Sequence, residues 1–223
     1  AKLQEEKRIT GKSRFVINET ENDKGLYKMP EPNAGDLFYD IEGFPQADKR
    51  NFEYLHGIYF NNKNKEFKYF GVKKYDKEEE KKIFIELINF LEKHFDKYPD
   101  AYIYHYNDYE KRALRELASE YSSSFPKGNN FVDRLLRQEK FVDLYRVVSQ
   151  CMQTTEKDLS LKTIEKFYRD ERSANIKTAD DSIRLFDDWC STGDKKAMND
   201  IISYNEEDCC LLYTSPSPRD GLL

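Results

Sequence analysis

Residues 36–43 read DLFYDIEG, and the rest of the architecture is organised around them. Its residues suit a β-strand, in which side chains alternate between two faces. Leu37, Tyr39 and Ile41 then point one way, and Phe38, Asp40 and Glu42 the other. The flanking apolar residues mark the strand as central. Two carboxylates on one face of a central strand repel each other, and desolvation adds to the cost. A divalent cation would offset both, so Asp40 and Glu42 are candidate metal ligands. Residues i and i+2 of a strand stand roughly 6.5–7 Å apart at the backbone. Converging carboxylate tips can then share cations about 3.5–4 Å apart. The competing reading is a solvated strand edge whose acids are ordinary surface charge.

The segments that follow place this strand in a sheet. FEYLHGIYF (52–60) and EFKYFGVKK (66–74) read as strands, and NNKNK (61–65) between them reads as a hairpin turn. YDKEEEKKIFIELINFLEKHF (75–95) is the clearest helix: Ile83, Phe84, Leu87, Ile88, Leu91 and Phe95 recur at helical spacing. Asp76 with Glu79 three residues later resembles a capping box. AYIYHY (101–106) reads as a fourth, buried strand and DYEKRALRELASEY (108–121) as a helix, broken by SSSFPKGNN with Pro126 and Gly128. FVDRLLRQ (131–138) is a short helical stretch, and FVDLYRVV (141–148) is ambiguous between strand and helix. Three helical segments follow: LSLKTIEKFY after a cap at Asp158, TADDSIRLFDDWC with a T-x-x-D cap, and KKAMNDIISYNEEDCCLL. There is no repeat of fixed period. The order predicts an α/β fold with a mixed central sheet flanked by α-helices. Its first three strands are antiparallel, and the next is parallel, reached through a helical crossover.

Composition narrows the function classes. With 38% hydrophobic residues, 15 Phe and 16 Tyr, the chain can build a core and its middle is not disordered. The formal charge is −5, from 37 basic and 42 acidic residues, which argues against a wide basic surface that coats duplex nucleic acid. It leaves open an enzyme that grips only a strand end, because catalytic acids lower the count and bound metals reverse it locally. No apolar run approaches the ~18 residues of a membrane span, and AKLQEEKRITGKSRF lacks the apolar stretch of a secretory signal. Cys151, Cys190, Cys209 and Cys210 form no C-x-x-C pair and no zinc-site spacing, so free thiols and a cytoplasmic location are expected. Residues 1–35 read as a linker or edge segment from an upstream region. With no initiator Met at its start, the chain is expected to be a fragment of something longer.

Further acids occupy two other places. Glu110 lies just past the strand AYIYHY, near the first turn of the next helix, where it could face the cleft of Asp40 and Glu42. The bland alternative is an acid favoured by the helix dipole. Asp108 competes with it or simply caps the helix, and His105 is expected to be packed or at the surface. Tyr204 and Asp208 are four apart and share a helix face. A phenol one turn before a carboxylate can hold a water that the carboxylate's metal also binds. Chance Y-x-x-x-D and solvated Glu206 and Glu207 are the alternative.

Together the D-x-E on a first strand, the acid after a fourth strand and the Y-x-x-x-D on a late helix resemble the DEDD exonucleases of the ribonuclease H-like superfamily. The tyrosine marks the DEDDy (DnaQ-like) branch. GDLFYDIEGFP, FEYLHGIYF, YHYNDYEKRAL, FVDLYRVV, SLKTIEKFYRDER and SYNEEDC look like the exonuclease-like domain of predicted RecB-family nucleases, over roughly residues 25–209. The resemblance implies a 3′-to-5′ exonuclease-type domain over 36–210. It implies two Mg²⁺ or Mn²⁺ ions held by Asp40, Glu42, Glu110 and Asp208, with Tyr204 orienting the attacking water. It also implies nucleic acid as partner, single-stranded or at a 3′ end, an upstream RecB-like nuclease region, a downstream helicase region and a place in DNA repair. The third acid is usually Asp in the wider superfamily. Here it is Glu110, whose extra methylene makes the metal or the backbone sit differently. Lys162, Arg169 and Arg172 are candidates to contact phosphates, against the alternative of a solvated helix face. Asp143 supports the site or caps a local turn. LLYTSPSPRDGLL at the end resembles a translated sequencing adapter, so residues 211–223 are expected to be unstructured and without function, or else a genuine Ser/Pro tail. The alternative function is a catalytically weak module that binds single strands or docks the neighbouring regions. A glycosidase with two acids about 5–9.5 Å apart fits poorly, having no use for four acids and a tyrosine.

Overall fold

A computed structural model describes residues 2–18, 24–47, 49–61, 64, 66–168, 176 and 178–214. The first half of the described chain contains α1 (Lys2–Thr10), β1 (Phe15–Ile17), β2 (Leu37–Phe44), β3 (Phe52–Phe60), β4 (Phe67–Gly71), α2 (Lys77–Lys97), β5 (Ile103–His105) and α3 (Tyr109–Glu120). The second half contains α4 (Pro126–Arg137), β6 (Phe141–Asp143), α5 (Leu144–Cys151), β7 (Met152–Thr154), α6 (Leu161–Ile164), α7 (Ala179–Thr192) and α8 (Lys195–Thr214).

Five strands form a mixed sheet in the order β4-β3-β2-β5-β6. β3 runs antiparallel to β2 and β4, while β5 is parallel to β2 and β6 parallel to β5. This is the α/β fold with antiparallel and then parallel pairing that the element order predicts. β2 is the middle strand, and the change from antiparallel to parallel pairing falls on it. Its two faces are both covered. Leu37, Tyr39 and Ile41 join a core with Phe84, Leu87 and Ile88 of α2. Phe38 packs on the opposite side with Tyr104, Leu144 and Leu212. The alternation in DLFYDIEG thus assigns each residue to a layer.

The helix ends bear out one local expectation and depart from others. Asp76 caps α2 by accepting from Glu78 N at 2.8 Å, but Glu79 turns outward to accept from Lys73 N at 3.2 Å. Pro126 starts α4 instead of prolonging a break, because proline at the first helical position loses no needed donor. The ambiguous FVDLYRVV is both elements: β6 ends at Asp143, whose Oδ1 accepts from Tyr145 N at 3.0 Å and from Arg146 N to start α5. Asp143 is therefore a cap, and it also accepts from Asn107 N at 2.9 Å.

One domain expectation gains detail and another needs correction. The described part of residues 1–35 is more than a linker: β1 pairs antiparallel with β7, and Phe15 and Ile17 pack against Val148, Met152 and Ile164. The expected unstructured tail does not begin at residue 211, because α8 continues to Thr214 with Leu211 and Leu212 buried. Residues 215–223 lie outside the described residues. All four cysteines are free, as expected. No helix among the described residues is long and apolar enough to cross a membrane.

Candidate active site

Asp40 and Glu42 rise from the face of β2 that α8 covers. The packing of α8 depends on a gap. Gly57 of β3 stands directly opposite Asp40 in the ladder, and a Cβ there would lie 1.8 Å from Asn205 Oδ1. Without a side chain at that position, Asn205 reaches across the sheet and donates from Nδ2 to Asp40 Oδ2 at 2.7 Å. Asn205 is fully buried. One turn further along α8, Asp208 turns to the same point. Asp40, Glu42 and Asp208 each offer a carboxylate oxygen, and these atoms lie within 4.8 Å of one another.

The electrostatics of the trio are unfavourable without a cation. Burial pushes the Asp40 carboxyl well above its ordinary range, and the charges of Asp208, Glu42 and Glu110 push further, while the Asn205 hydrogen bond opposes. Burial and the Asp208 charge drive Glu42 up to about 8, opposed by the Ser182 hydrogen bond and the Lys162 charge. A site of buried carboxylate oxygens that repel one another fits a hard divalent cation, for which oxygen ligands are the natural set.

Glu110 sits in the first turn of α3, as the sequence suggests, and is buried, but it does not join the trio. His105, at the end of β5, brings Nδ1 to 3.4 Å from Glu110 Oε2. Among the described residues neither atom has a hydrogen-bond partner, so the approach is electrostatic. Burial raises the Glu110 carboxyl, and His105 opposes the rise. Its charge is nevertheless felt at Asp40. Asp108 stands at the N-cap but makes no side-chain capping bond.

Tyr204 is buried on α8, and its phenol oxygen accepts from Lys162 Nζ at 2.5 Å, with the ammonium 4.8 Å from the ring centroid. The expected phosphate contact Lys162 is thus part of the site's own wiring. Its backbone is held by Asp158, whose Oδ1 accepts from Ser160 N at 2.9 Å, from Ser160 Oγ at 2.7 Å and from Thr163 Oγ1 at 2.7 Å. Arg169 and Arg172 lie outside the described residues. Two participants escaped the sequence reading: Asn205, and Ser182 of α7, which donates to Glu42 Oε2 at 2.8 Å. The adjacency of Asn205 to Tyr204 was the available signal for the first.

A family model of the RNase_H superfamily matches residues 37–214, from the first residue of β2 to the last of α8. The chain belongs to the RNase_H superfamily. No curated protein and no solved structure gave a match. Membership in the RNase_H superfamily points to nuclease chemistry on nucleic acid and to divalent metals, and Asp40, Glu42 and Asp208 are the acids placed to bind one.

Proposed function

We propose that the chain is a metal-dependent 3′-to-5′ exonuclease-type phosphodiesterase of the DEDDy arrangement, acting on DNA or RNA within a RecB-family parent chain. The observation that carries this reading is the convergence of Asp40, Glu42 and Asp208, from a central strand and a late helix, to within 4.8 Å. Asp40, Glu42, Glu110 and Asp208 would hold two Mg²⁺ or Mn²⁺ ions. When bound, these supply Lewis-acid charge for the phosphate and acidify a coordinated water.

The protein's own part is preorganisation. Asp40 and Glu42 stand opposite Gly57 and Leu55 in the β2–β3 ladder, on a strand that β5 also pairs at Leu37 and Phe38, so their backbone is held before substrate arrives. The Tyr204 oxygen already accepts from an ammonium, which makes it a poor acceptor for a further proton. Its role is therefore to orient the attacking water or a phosphate oxygen, and not to abstract a proton. Lys162 keeps a substrate role through this pair, at the edge where a strand end would enter.

The test is Mn²⁺-dependent shortening of 5′-labelled single-stranded DNA and RNA from the 3′ end, compared with D40N and D208N. We expect a ladder with the wild type and a loss of at least about a hundredfold in either variant. Binding without shortening in all three would support the module instead, a reading favoured by the position of Glu110 outside the trio.

A further inference from the structure

Glu42 has a line of partners that the proposed chemistry does not use. Ser182 Oγ donates to its Oε2 at 2.8 Å, and the Tyr54 hydroxyl stands 2.7 Å from Ser182 Oγ. Ser182 and Tyr54 are fully buried. A serine has one proton, and a Glu42 carboxylate ionised by a bound cation only accepts. The serine proton therefore goes to Glu42, and Tyr54 donates to Ser182. The result is a one-way chain of hydroxyls ending on a candidate metal ligand.

The register of α7 is built to aim this chain. Phe186, one turn after Ser182 on the same helix face, lies flat on the Tyr54 ring, with centroids 3.8 Å apart and planes within 10°. Thr178 starts the helix by accepting from Asp181 N at 3.1 Å. One tyrosine thus fixes the helix through its ring and the serine through its hydroxyl.

We infer that Ser182 is a positioning residue for the cation site: it holds the Glu42 carboxylate in the orientation that meets Asp40 and Asp208, and Tyr54 sets the direction of the Ser182 hydroxyl. This rests on the cation reading above. A neutral donor suits the task. It fixes an oxygen without the positive charge that would compete with a divalent ion, as a lysine or arginine would. Asn205 does the same for Asp40, so each acid of β2 is held by a neutral, buried donor from a different helix.

The test uses the full chain, with Mn²⁺ affinity from calorimetric titration and melting temperatures with and without saturating Mn²⁺. S182A is expected to bind Mn²⁺ about tenfold more weakly and to gain less melting temperature from it. Y54F, which keeps the ring stack, is expected to move both readouts the same way by a smaller factor. A merely structural serine would lower both melting temperatures equally and leave the Mn²⁺ increment unchanged. That result, or wild-type Mn²⁺ affinity in both variants, overturns the inference. If S182A fails to fold, Y54F decides alone. A wild type that binds no Mn²⁺ overturns the cation reading and this inference with it, whereas a binding wild type with unaffected variants overturns this inference alone.

Discussion

At the scale of single residues, the site depends on an absence. Gly57 is the only residue that fits opposite Asp40, because a methyl group there would displace Asn205, whose Oδ1 lies 1.8 Å from the required Cβ position. Gly57→Ala is therefore expected to destabilise the chain by about 1–3 kcal/mol, as overpacking does. It should also weaken metal binding by pulling the donor off Asp40. Urea unfolding and a Mn²⁺ titration of the same protein check both effects, and a fully active, equally stable variant would contradict the packing argument. His56, the next residue back, has an opposite sensitivity. It is fully buried, with Nδ1 2.7 Å from the Tyr39 hydroxyl, and burial lowers its pKa from 6.5 to about 3. The native state refuses a proton that the unfolded chain accepts below 6.5. The stabilisation is thus complete above that value and is lost as the pH falls toward about 3. Between those limits the loss approaches about 1.4 kcal/mol per pH unit. His56→Gln should flatten the slope, seen by comparing urea midpoints near neutrality with those about two units lower.

At the scale of elements, much of the architecture was legible because the local pattern and the tertiary layer agree. β2, β3 and α2 carry period-two or period-3.6 apolar patterns whose faces are the faces that the core uses. The three acids on β2 and α8 were legible for a related reason, since each sits beside an apolar pattern that fixes its element. What escaped depends on long-range pairing. β1 and β7 are three residues each, with no pattern of their own, and exist because Phe15 faces Thr154 and Ile17 faces Met152. Ser182 escaped because its role needs the register of α7 against Tyr54, which no local spacing encodes. Pro126 was read as a breaker where its position makes it a start. The end of α8 offers a direct measurement. Leu211 and Leu212 are 0% and 2% exposed, and Leu212 packs with Phe38 and Tyr104 across the face that carries Asp40. Ending the chain after Cys210 removes both leucines, each worth about 1.5–3 kcal/mol of burial. A chain ended after Thr214 should therefore be markedly more stable than one ended after Cys210. Equal denaturation midpoints would mean that the last turn of α8 contributes nothing to the fold.

At the scale of the whole molecule, the sheet concentrates negative charge in a chain that is already acidic, with 42 acidic against 37 basic residues. Cations offset that charge elsewhere by direct pairing: Arg50 and Lys77 surround the fully buried Glu80, and Arg50 Nη1 lies 2.7 Å from its Oε1. Around Asp40, Glu42 and Asp208 the donors identified on Asp40 Oδ2 and Glu42 Oε2 are the neutral Asn205 and Ser182, while Lys162, whose charge reaches Glu42, gives its hydrogen bond to Tyr204. The fold therefore leaves a concentrated, buried repulsion between its first strand of the central sheet and its last described helix. A divalent ion placed there links these two elements and should stabilise the whole chain, not a single loop. By mass action a ligand at a hundred times its dissociation constant adds about 2.7 kcal/mol to a native state that alone binds it. Thermal melts with Mg²⁺ or Mn²⁺ should accordingly rise with cation concentration and fall back with a chelator. Asp208→Asn should abolish most of the cation increment, because it removes one of the three converging carboxylates. A metal-free loss of stability in that variant, with the cation increment intact, would mean that Asp208 serves the packing of α8 and not a metal.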